Sequence, residues 1–446
     1  MIYFSIIQPG DQRKSHQTLR YPLGSNNNGI LQDFDAMKVG PILKDRSHSD
    51  ERAVDIQTGF WYSDHVMSEY IESSRRGSRS LIYGEEDMEI TKVEAHVLYG
   101  RYIIVRIGTD EGIVGYGEAS PMGASVVASA VRHLGSMIVG EDPFNIEALW
   151  MRMFTEGHKL GPMGAQLEAM AGIDIALYDI KGKALNTPIY NLLGGAFRLK
   201  VPVYASSMRR DMRPEEEAER VEKFYDQGYT WYKQHSAVRW GYDSEPDQTI
   251  EVVEAIRNRM GDMMTLLVDV NNAYTVHHAL EVGRQLEELN VFHFEEPIPA
   301  YDYDGYSRLQ AVLDIPIAAG EQEYTRWQFR DLITIAQVDI LQPDIVKSGG
   351  FTEMMKIAAL AQTYNKPITV HNTQPTIGTA AHLHFWAACQ NCLYPQEYNI
   401  EPHPLRDQTP ILKTSLEVND GYMDVPQGPG LGIEVDEKVL FELSGS

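Results

Sequence analysis

The sequence contains little cysteine, with only 2 such residues in a chain of 446. Two cysteines cannot build the disulfide framework that stabilises small secreted domains, so we expect a reducing, cytoplasmic location. The chain also lacks any apolar run close to the roughly 18 residues that a membrane-spanning helix requires. Its first residues, MIYFSIIQPG, lack the basic segment and the longer apolar core of a secretory signal peptide. The sequence therefore predicts a protein with no membrane partner.

Positive charge is scarce as well, since 39 Lys and Arg residues stand against 63 Asp and Glu residues, a formal net charge of −24. A nucleic-acid-binding protein needs Lys and Arg to displace counterions from phosphates, so no nucleic-acid partner is expected. A basic helix that lies on a membrane surface is not expected either. With 43% hydrophobic residues, the chain has the ordinary composition of a globular protein, and its length favours two or three cores.

The chain divides into four segments by its pattern of polar and apolar residues. Residues 1–87 are polar, rich in turn-forming residues and without sustained periodicity, which predicts a partly ordered N-terminal extension. Residues 88–200 contain three short strand patterns and two long helical patterns, which predicts an α+β domain. Residues 201–405 alternate strands with helices, and residues 406–446 form a C-terminal segment that is expected to return to irregular structure.

Eight short strand patterns lie between residues 201 and 399, with helical patterns between them. This alternation predicts a closed (β/α)8 barrel, a fold of the α/β class, in preference to an open sheet. The carboxyl ends of the strands of such a barrel converge on one face, where active sites are built. Most of the predicted strands end at an ionisable residue, and these are His235, Asp269, Glu295, Glu321, Asp344, His371 and Glu397. Any one of them alone could be a helix N-cap, but together they predict a functional site at one mouth.

Three carboxylates come from successive strands: Asp269, Glu295 and Glu321. Carboxylates that lie so close together repel one another unless a cation sits between them. Oxygen ligands alone suit a hard ion, Mg²⁺ before Mn²⁺ or Ca²⁺, and the absence of His and Cys from the trio argues against zinc. The pattern predicts a magnesium site, and the alternative is a chance row of caps.

Two further pairs indicate proton transfer. Asp344 and His371 end neighbouring strands, and a carboxylate beside an imidazole fixes its tautomer and raises its basicity, which suits a general base or acid. This pair alone could equally be a structural hydrogen bond. Lys233 and His235 are separated by one residue on the second strand, so both point the same way. The lysine can stabilise negative charge and the histidine can exchange a proton, although Lys233 could also serve only as a counter-ion.

These residues lie in motifs that resemble the enolase superfamily, specifically its mandelate racemase and muconate lactonizing enzyme branch. The resemblance covers the chain from about residue 88 to near its C-terminus and rests on the motifs LLVDVNNAY, FHFEEPI, AAGEQ, LQPDIVKSGG and TVHN. It implies that the carboxylate trio binds one Mg²⁺, with Mn²⁺ as a possible substitute, and that Asp344 and His371 are the branch's base dyad. It also implies that residues 88–200 and the C-terminal segment cap the barrel mouth, and that the chain forms a homo-oligomer.

Three further roles are implied by the resemblance. Glu397 stands on the eighth strand, where the family often has a glutamate that hydrogen-bonds a substrate oxygen. Asn271 and Glu296 stand where the family has residues that support the metal ligands. The shared first step of the family is removal of the proton α to a carboxylate, through an enediolate that the metal stabilises, so a small-molecule carboxylate is the expected substrate.

Two departures from the family pattern refine this expectation. The family usually has Lys-x-Lys on the second strand, whereas this chain has Lys233-Gln234-His235, which makes a symmetric two-base racemase less favoured. A dehydratase of a sugar acid, which eliminates the β-hydroxyl to give a 2-keto-3-deoxy acid, is therefore predicted. The alternatives are a racemase or epimerase, a lactone cycloisomerase, and a catalytically silent binding protein. The family's specificity loop is also missing between the first two strands, and residues 1–87 are a hypothetical replacement lid.

Other motifs are interpreted as structural. Cys389 and Cys392 have CxxC spacing, but without a second pair they predict a buried pair in a helix and not a zinc site. His277-His278 and His382-x-His384 lie on predicted helices with no nearby ligand set, so they are interpreted as surface or packing residues.

Overall fold

The computed structural model describes residues 88–238 and 241–445. The hypothetical lid of residues 1–87 therefore lies outside the described residues. Within the described ranges, every helix is too short or too polar to span a lipid bilayer.

Three strands and four α-helices between Ile90 and Leu192 form a small α+β domain that we call the capping domain. Its three strands form an antiparallel sheet in the order β1-β2-β3, and the helices pack on one face of that sheet. Its elements are β1 (Ile90–Leu98), β2 (Tyr102–Thr109), β3 (Val114–Ala119), α1 (Ala124–Gly135), α2 (Ile146–Gly157), α3 (Ala165–Ala184) and α4 (Ile189–Leu192).

The centre of the capping domain is the buried helix α3. Gly117 of β3 lies against the backbone of Gly172 in α3, where a Cβ atom would clash with the Gly172 carbonyl oxygen. Glycine at this position therefore allows the sheet and the helix to approach closely. As the sequence predicts, β1 and β2 are joined by a very short turn, in which Leu98 pairs with Tyr102.

The second unit is a parallel barrel whose strands alternate with helices. Strands β4 to β9 pair in chain order, and Leu341 then pairs with Ile368 through an isolated parallel bridge. At the other end of the sheet β10 pairs with β4, and the side chain of Gln396 in β10 donates to the Ile368 carbonyl at 3.3 Å. The strands are β4 (Lys200–Ser206), β5 (Trp231–Gln234), β6 (Thr265–Asp269), β7 (His293–Glu295), β8 (Ile317–Ala319), β9 (Ile340–Leu341) and β10 (Gln396–Asn399). The predicted (β/α)8 barrel with a capping domain is confirmed.

Helices separate the barrel strands, and the chain ends in a further strand and helix. The helices are α5 (Pro214–Tyr225), α6 (Thr249–Met260), α7 (Val276–Glu288), α8 (Tyr303–Gln310), α9 (Arg326–Asp331), α10 (Gly350–Thr363) and α11 (Ile377–Ala388). They are followed by β11 (Tyr422–Asp424) and α12 (Glu437–Ser444).

The expectation that the C-terminal segment is irregular is wrong in two places. Strand β11 pairs antiparallel with β4, and helix α12 packs against β1. Asp436 caps α12 by accepting hydrogen bonds from two backbone N–H groups, and Glu437 bonds to Arg106 Nε at 2.9 Å. Both elements are too short for a clear periodicity, and tertiary contacts stabilise them instead.

Buried polar contacts fix the capping domain to the loops that follow the barrel strands. Asp174 of α3 accepts a hydrogen bond from the Thr352 backbone N–H at 3.1 Å, and Trp150 Nε1 donates to the Gly349 carbonyl at 2.8 Å. Glu118 at the end of β3 accepts from the Gly378 backbone N–H at 2.7 Å. Because Gly349 and the first turns of α10 and α11 follow the carboxyl ends of barrel strands, the capping domain covers the barrel mouth.

Candidate active site

A cavity of about 950 Å³ lies between the capping domain and the carboxyl ends of the barrel strands. The capping domain contributes Arg101 and Glu168 to its wall, and the barrel contributes ionisable residues from most of its strands. The strand-end residues predicted to share one mouth line this cavity, except for Glu295, which is fully buried: His235, Asp269, Glu321, Asp344, His371 and Glu397. Lys233 lines the cavity as well.

The structure brings the three predicted metal ligands together. Asp269 and Glu295 are register partners at the ends of β6 and β7, and Glu321 follows β8 by two residues. One carboxylate oxygen from each lies within 4.8 Å of the others, and all three residues are buried. The parallel register of the strands produces this cluster, because it sets successive strand ends side by side.

The electrostatics of the trio fit a bound cation. Burial and then the charge of Asp269 raise the pKa of Glu295 well above its ordinary value, so its ionised form is unfavourable without added positive charge. The donors are carboxylate oxygens without histidine or cysteine, which is the set that Mg²⁺ prefers. The residues present therefore fit a hard divalent ion.

Asn271 holds one of these carboxylates in place. Its backbone N–H donates to Asp269 Oδ1 at 2.8 Å, and its Nδ2 donates to Asp269 Oδ2 at 3.1 Å. The backbone of Asn271 is left-handed, with φ 44°, which asparagine tolerates better than most residues. Glu296 is fully buried directly after Glu295, and its Oε2 accepts a hydrogen bond from Asn272 Nδ2 at 2.8 Å.

Lys233 is surrounded by carboxylates. Its Nζ lies 2.7 Å from Glu397, 2.8 Å from Glu295 and 3.5 Å from Asp269, and the residue is 1% exposed. Burial lowers the pKa of Lys233, but these carboxylates outweigh burial and raise it well above its ordinary value. Lys233 therefore remains an ammonium ion that offsets part of the negative charge of the site.

Replacing Lys233 with methionine is expected to destabilise the fold. The change leaves buried carboxylates without their partner, which typically lowers the free energy of unfolding by about 3–5 kcal/mol. Denaturant unfolding of the metal-free protein measures this loss. The matched control is Lys438→Met, whose side chain is 83% exposed, and it should change the stability little. Equal effects of the two substitutions would contradict the assigned counter-ion role.

His235 lies between two acceptors. Its Nδ1 contacts the Ser207 carbonyl, and its Nε2 lies 2.8 Å from Asp269 Oδ2. The charges of His235 and Lys233 outweigh burial and lower the pKa of Asp269 well below its ordinary value. His235 therefore contacts the carboxylate trio directly through Asp269.

The predicted dyad is also present. His371 Nδ1 lies 2.7 Å from Asp344 Oδ2, and its Nε2 lies 3.3 Å from Glu321 Oε2. Asp344 is itself held by the Val346 backbone N–H, which donates to its Oδ1 at 3.0 Å. Burial lowers the pKa of His371, but Glu321 and Asp344 outweigh burial and raise it to about 9. The arrangement orients a basic imidazole towards the cavity.

Glu397 is fully buried and bonded at both oxygens. Oε1 accepts from Ser206 Oγ at 2.7 Å and contacts Lys233, and Oε2 accepts from the Asn372 backbone N–H at 2.7 Å. Burial raises its pKa, but Lys233 and His371 outweigh burial and lower it. Glu397 is therefore an ionised acceptor next to the dyad.

One contact of the dyad was missed from the sequence. His382, interpreted as a surface or packing residue, is fully buried, and its Nε2 accepts the Ile345 backbone N–H at 3.1 Å and lies 3.6 Å from Asp344 Oδ1. Burial lowers the pKa of His382 to about 4, so the ring is neutral. Helix α11 is apolar on all sides, and a helix of that kind is buried, which was the available signal.

The remaining motifs carry no site in the described residues. His277 on α7 is exposed, and His384 is buried against the ring of Tyr190. Cys389 and Cys392 are free thiols and are buried, as the sequence predicts, but the prediction that they lie in a helix is wrong, because both come after the end of α11.

Comparison with known proteins gives consistent matches along the described part of the chain. The family model described as mandelate racemase/muconate lactonizing enzyme, N-terminal domain, matches residues 90–194. The model described as enolase C-terminal domain-like matches residues 216–439.

Individual relatives cover most of this chain and nearly all of their own length. An arabinonate dehydratase from Saccharolobus solfataricus is 36% identical, covering 76% of this chain and 90% of the relative. A D-galactarolactone cycloisomerase from Agrobacterium fabrum is 34% identical, covering 80% of this chain and 98% of the relative. Among solved structures, a mandelate racemase/muconate lactonizing protein from Paracoccus denitrificans complexed with magnesium superposes with a TM-score of 0.75 and is 35% identical, covering 80% of this chain and 98% of that one.

Proposed function

Because the chain belongs to the mandelate racemase and muconate lactonizing enzyme family of the enolase superfamily, we propose that it is a magnesium-dependent dehydratase of a sugar acid. The family and enzyme predictions made from the sequence motifs are confirmed by this membership. The single observation that carries the proposed reaction is the Asp344–His371 pair beside a buried trio of carboxylates in one cavity.

We propose that Asp269, Glu295 and Glu321 hold the metal ion. The ion in the magnesium complex of the Paracoccus protein supports the choice of Mg²⁺, as do the oxygen donors of the trio. When bound, Mg²⁺ supplies positive charge that stabilises the negative charge developing on a substrate carboxylate and offsets the charge of Glu321. Asn271 keeps Asp269 oriented for this task, and Glu296 holds the side chain of Asn272, the next residue along the chain.

His371 is proposed to remove the proton α to the carboxylate. Asp344 accepts from Nδ1, so the Nε2 atom is the one that exchanges protons with the substrate. The same residue then returns a proton to the departing β-hydroxyl group. Glu397, next to the dyad, is proposed to accept a hydrogen bond from a substrate oxygen.

Lys233 and His235 act from the other side of the trio in this proposal. The ammonium of Lys233 stabilises negative charge without moving a proton, because three carboxylates hold it in place. His235, whose Nε2 lies 2.8 Å from Asp269, is proposed to exchange a proton on this side. With His235 in place of the second lysine that the family usually has, the arrangement suits an elimination better than a symmetric racemisation.

A panel of sugar acids tests the proposed function. The purified protein is incubated with five- and six-carbon aldonic and aldaric acids and Mg²⁺, and formation of 2-keto-3-deoxy acids is measured. The proposal predicts Mg²⁺-dependent formation of this product from at least one acid. Absence of the product from every acid would contradict dehydration.

A lactone cycloisomerase is the second candidate, because a relative with 34% identity has that name. This reaction and a racemisation begin with the same proton transfer but leave no keto acid. Loss of a lactone without 2-keto-3-deoxy product would favour cycloisomerisation, and inverted configuration at C2 would favour a racemase or epimerase. Binding of acids without turnover would favour the silent binding protein.

A further inference from the structure

One carboxylate in the cavity comes from the capping domain and not from the barrel. Glu168 lies in the first turn of α3, is 5% exposed and lines the cavity. It belongs neither to the metal trio nor to the base dyad. Burial raises the pKa of Glu168, with partial compensation from Lys347. Burying an acidic group costs free energy unless the group is hydrogen-bonded, so Glu168 needs hydrogen-bond partners in the cavity wall.

The position of Glu168 is rigid with respect to the barrel. It lies on the same helix as Asp174, which is bonded to the Thr352 backbone at the start of α10. Trp150 of the adjacent helix α2 is bonded to Gly349 in the same loop. A side chain on a helix that is held in this way keeps a defined position. It can therefore distinguish bound molecules by shape more accurately than a side chain on a loop.

The neighbours of Glu168 are donors from the barrel. Tyr324 Oη donates to Glu168 Oε1 at 3.1 Å. Lys347 lies with its Nζ 5.6 Å from the centre of the Tyr324 ring and donates to the backbone carbonyl of Glu321. Tyr324 and Lys347 both line the cavity. Since a carboxylate has about four lone-pair sites, the bond from Tyr324 leaves Glu168 able to accept others.

We propose that Glu168, with Tyr324 and Lys347, binds a hydroxyl group on the carbon chain of the substrate beyond the reacting carbons. This inference rests on the proposed function and makes Glu168 a residue that determines specificity. The carboxylate accepts from the hydroxyl, the ammonium of Lys347 can donate to the oxygen of that hydroxyl, and Tyr324 orients Glu168 through its own hydrogen bond. A second carboxylate or a phosphate at the same point would be repelled by Glu168. The substrate class that fits this wall is therefore an aldonic acid with a hydroxylated tail.

The test compares a long acid with a short one. Glycerate carries the carboxylate and the two reacting carbons of a sugar acid but has no tail, whereas a six-carbon aldonate has three further hydroxylated carbons. Glu168→Gln should lower kcat/KM for the preferred six-carbon aldonate by about 10- to 100-fold, the typical worth of a hydrogen bond to a charged group. The same variant should leave kcat/KM for glycerate nearly unchanged. Tyr324→Phe should give a smaller loss with the same dependence on the tail.

A matched control and a binding measurement separate the possible failures. Glu147→Gln changes an exposed glutamate on α2 that pairs with Lys356 outside the cavity, and it should alter neither substrate. In a His371→Asn background, calorimetry measures the dissociation constant of the aldonate with and without Glu168→Gln. If the protein with His371 intact dehydrated no sugar acid, but Glu168→Gln still raised the dissociation constant of the aldonate tenfold, the proposed function would be wrong and the inference would stand. Equal losses for glycerate and aldonate, or no loss for either, would overturn the inference while leaving the proposed dehydratase in place.

Discussion

Replacing His371 with asparagine is expected to lower kcat by about 10³-fold, the range of a lost general base. Asparagine can still bond to Asp344 through its side-chain amide, so the carboxylate keeps a partner. The fold and the Mg²⁺ affinity should therefore be close to those of the unchanged protein. Steady-state kinetics, circular dichroism and calorimetric Mg²⁺ titration measure the three quantities on one preparation.

The control for this prediction is His277→Asn. His277 is an exposed histidine on α7, outside the cavity, so its replacement should leave kcat unchanged. If His371→Asn retained activity within a factor of ten, His371 would not be the base. If instead it lost Mg²⁺ binding together with activity, the dyad would have a role in holding the metal.

Replacing Glu295 with glutamine is expected to abolish activity and to weaken Mg²⁺ binding by more than about 100-fold, beyond the usual cost of losing a residue that only supports a ligand. In the absence of metal, the same substitution should not destabilise the protein. Burial and Asp269 disfavour the charge on Glu295, so removing that charge should leave the free energy of unfolding unchanged or higher. Lys233 can still donate to the amide oxygen at this position. Denaturant unfolding with and without Mg²⁺ measures both effects.

The control is Glu288→Gln, an exposed glutamate on α7. It should keep the same Mg²⁺-induced gain in stability as the unchanged protein. The trio would be excluded as the metal site if Glu295→Gln kept that gain. A large loss of stability in the metal-free variant would show that Glu295 stabilises the fold through its charge.

The barrel part of the site could be predicted from the sequence because it is periodic. Each strand and helix unit repeats at a similar length, and parallel register brings the ends together, as for Asp269 and Glu295. The contacts of the capping domain have no such period. Glu168 and Tyr324 are far apart in the sequence, and the residues around each of them do not predict the hydrogen bond between the two side chains.

The polar contacts beneath the dyad were missed for a related reason. His382 could be expected to be buried from its apolar helix, but its bond to the Ile345 backbone depends on how α11 packs against the loop that follows β9. Helix α12 is short and is held by Arg106 and Asp436, so its local propensity was a weak signal. The domain bounds, a homo-oligomeric state and a cytoplasmic location remain predictions.

Product analysis in D₂O tests the central claim most directly. A dehydration that passes through an enol takes its new proton at C3 from solvent, so the 2-keto-3-deoxy acid should carry one deuterium at C3. This product should form with Mg²⁺ and disappear when a chelator removes the metal. Recovered acid with deuterium at C2 and inverted configuration, or no Mg²⁺-dependent conversion of any sugar acid, would contradict a magnesium-dependent dehydratase.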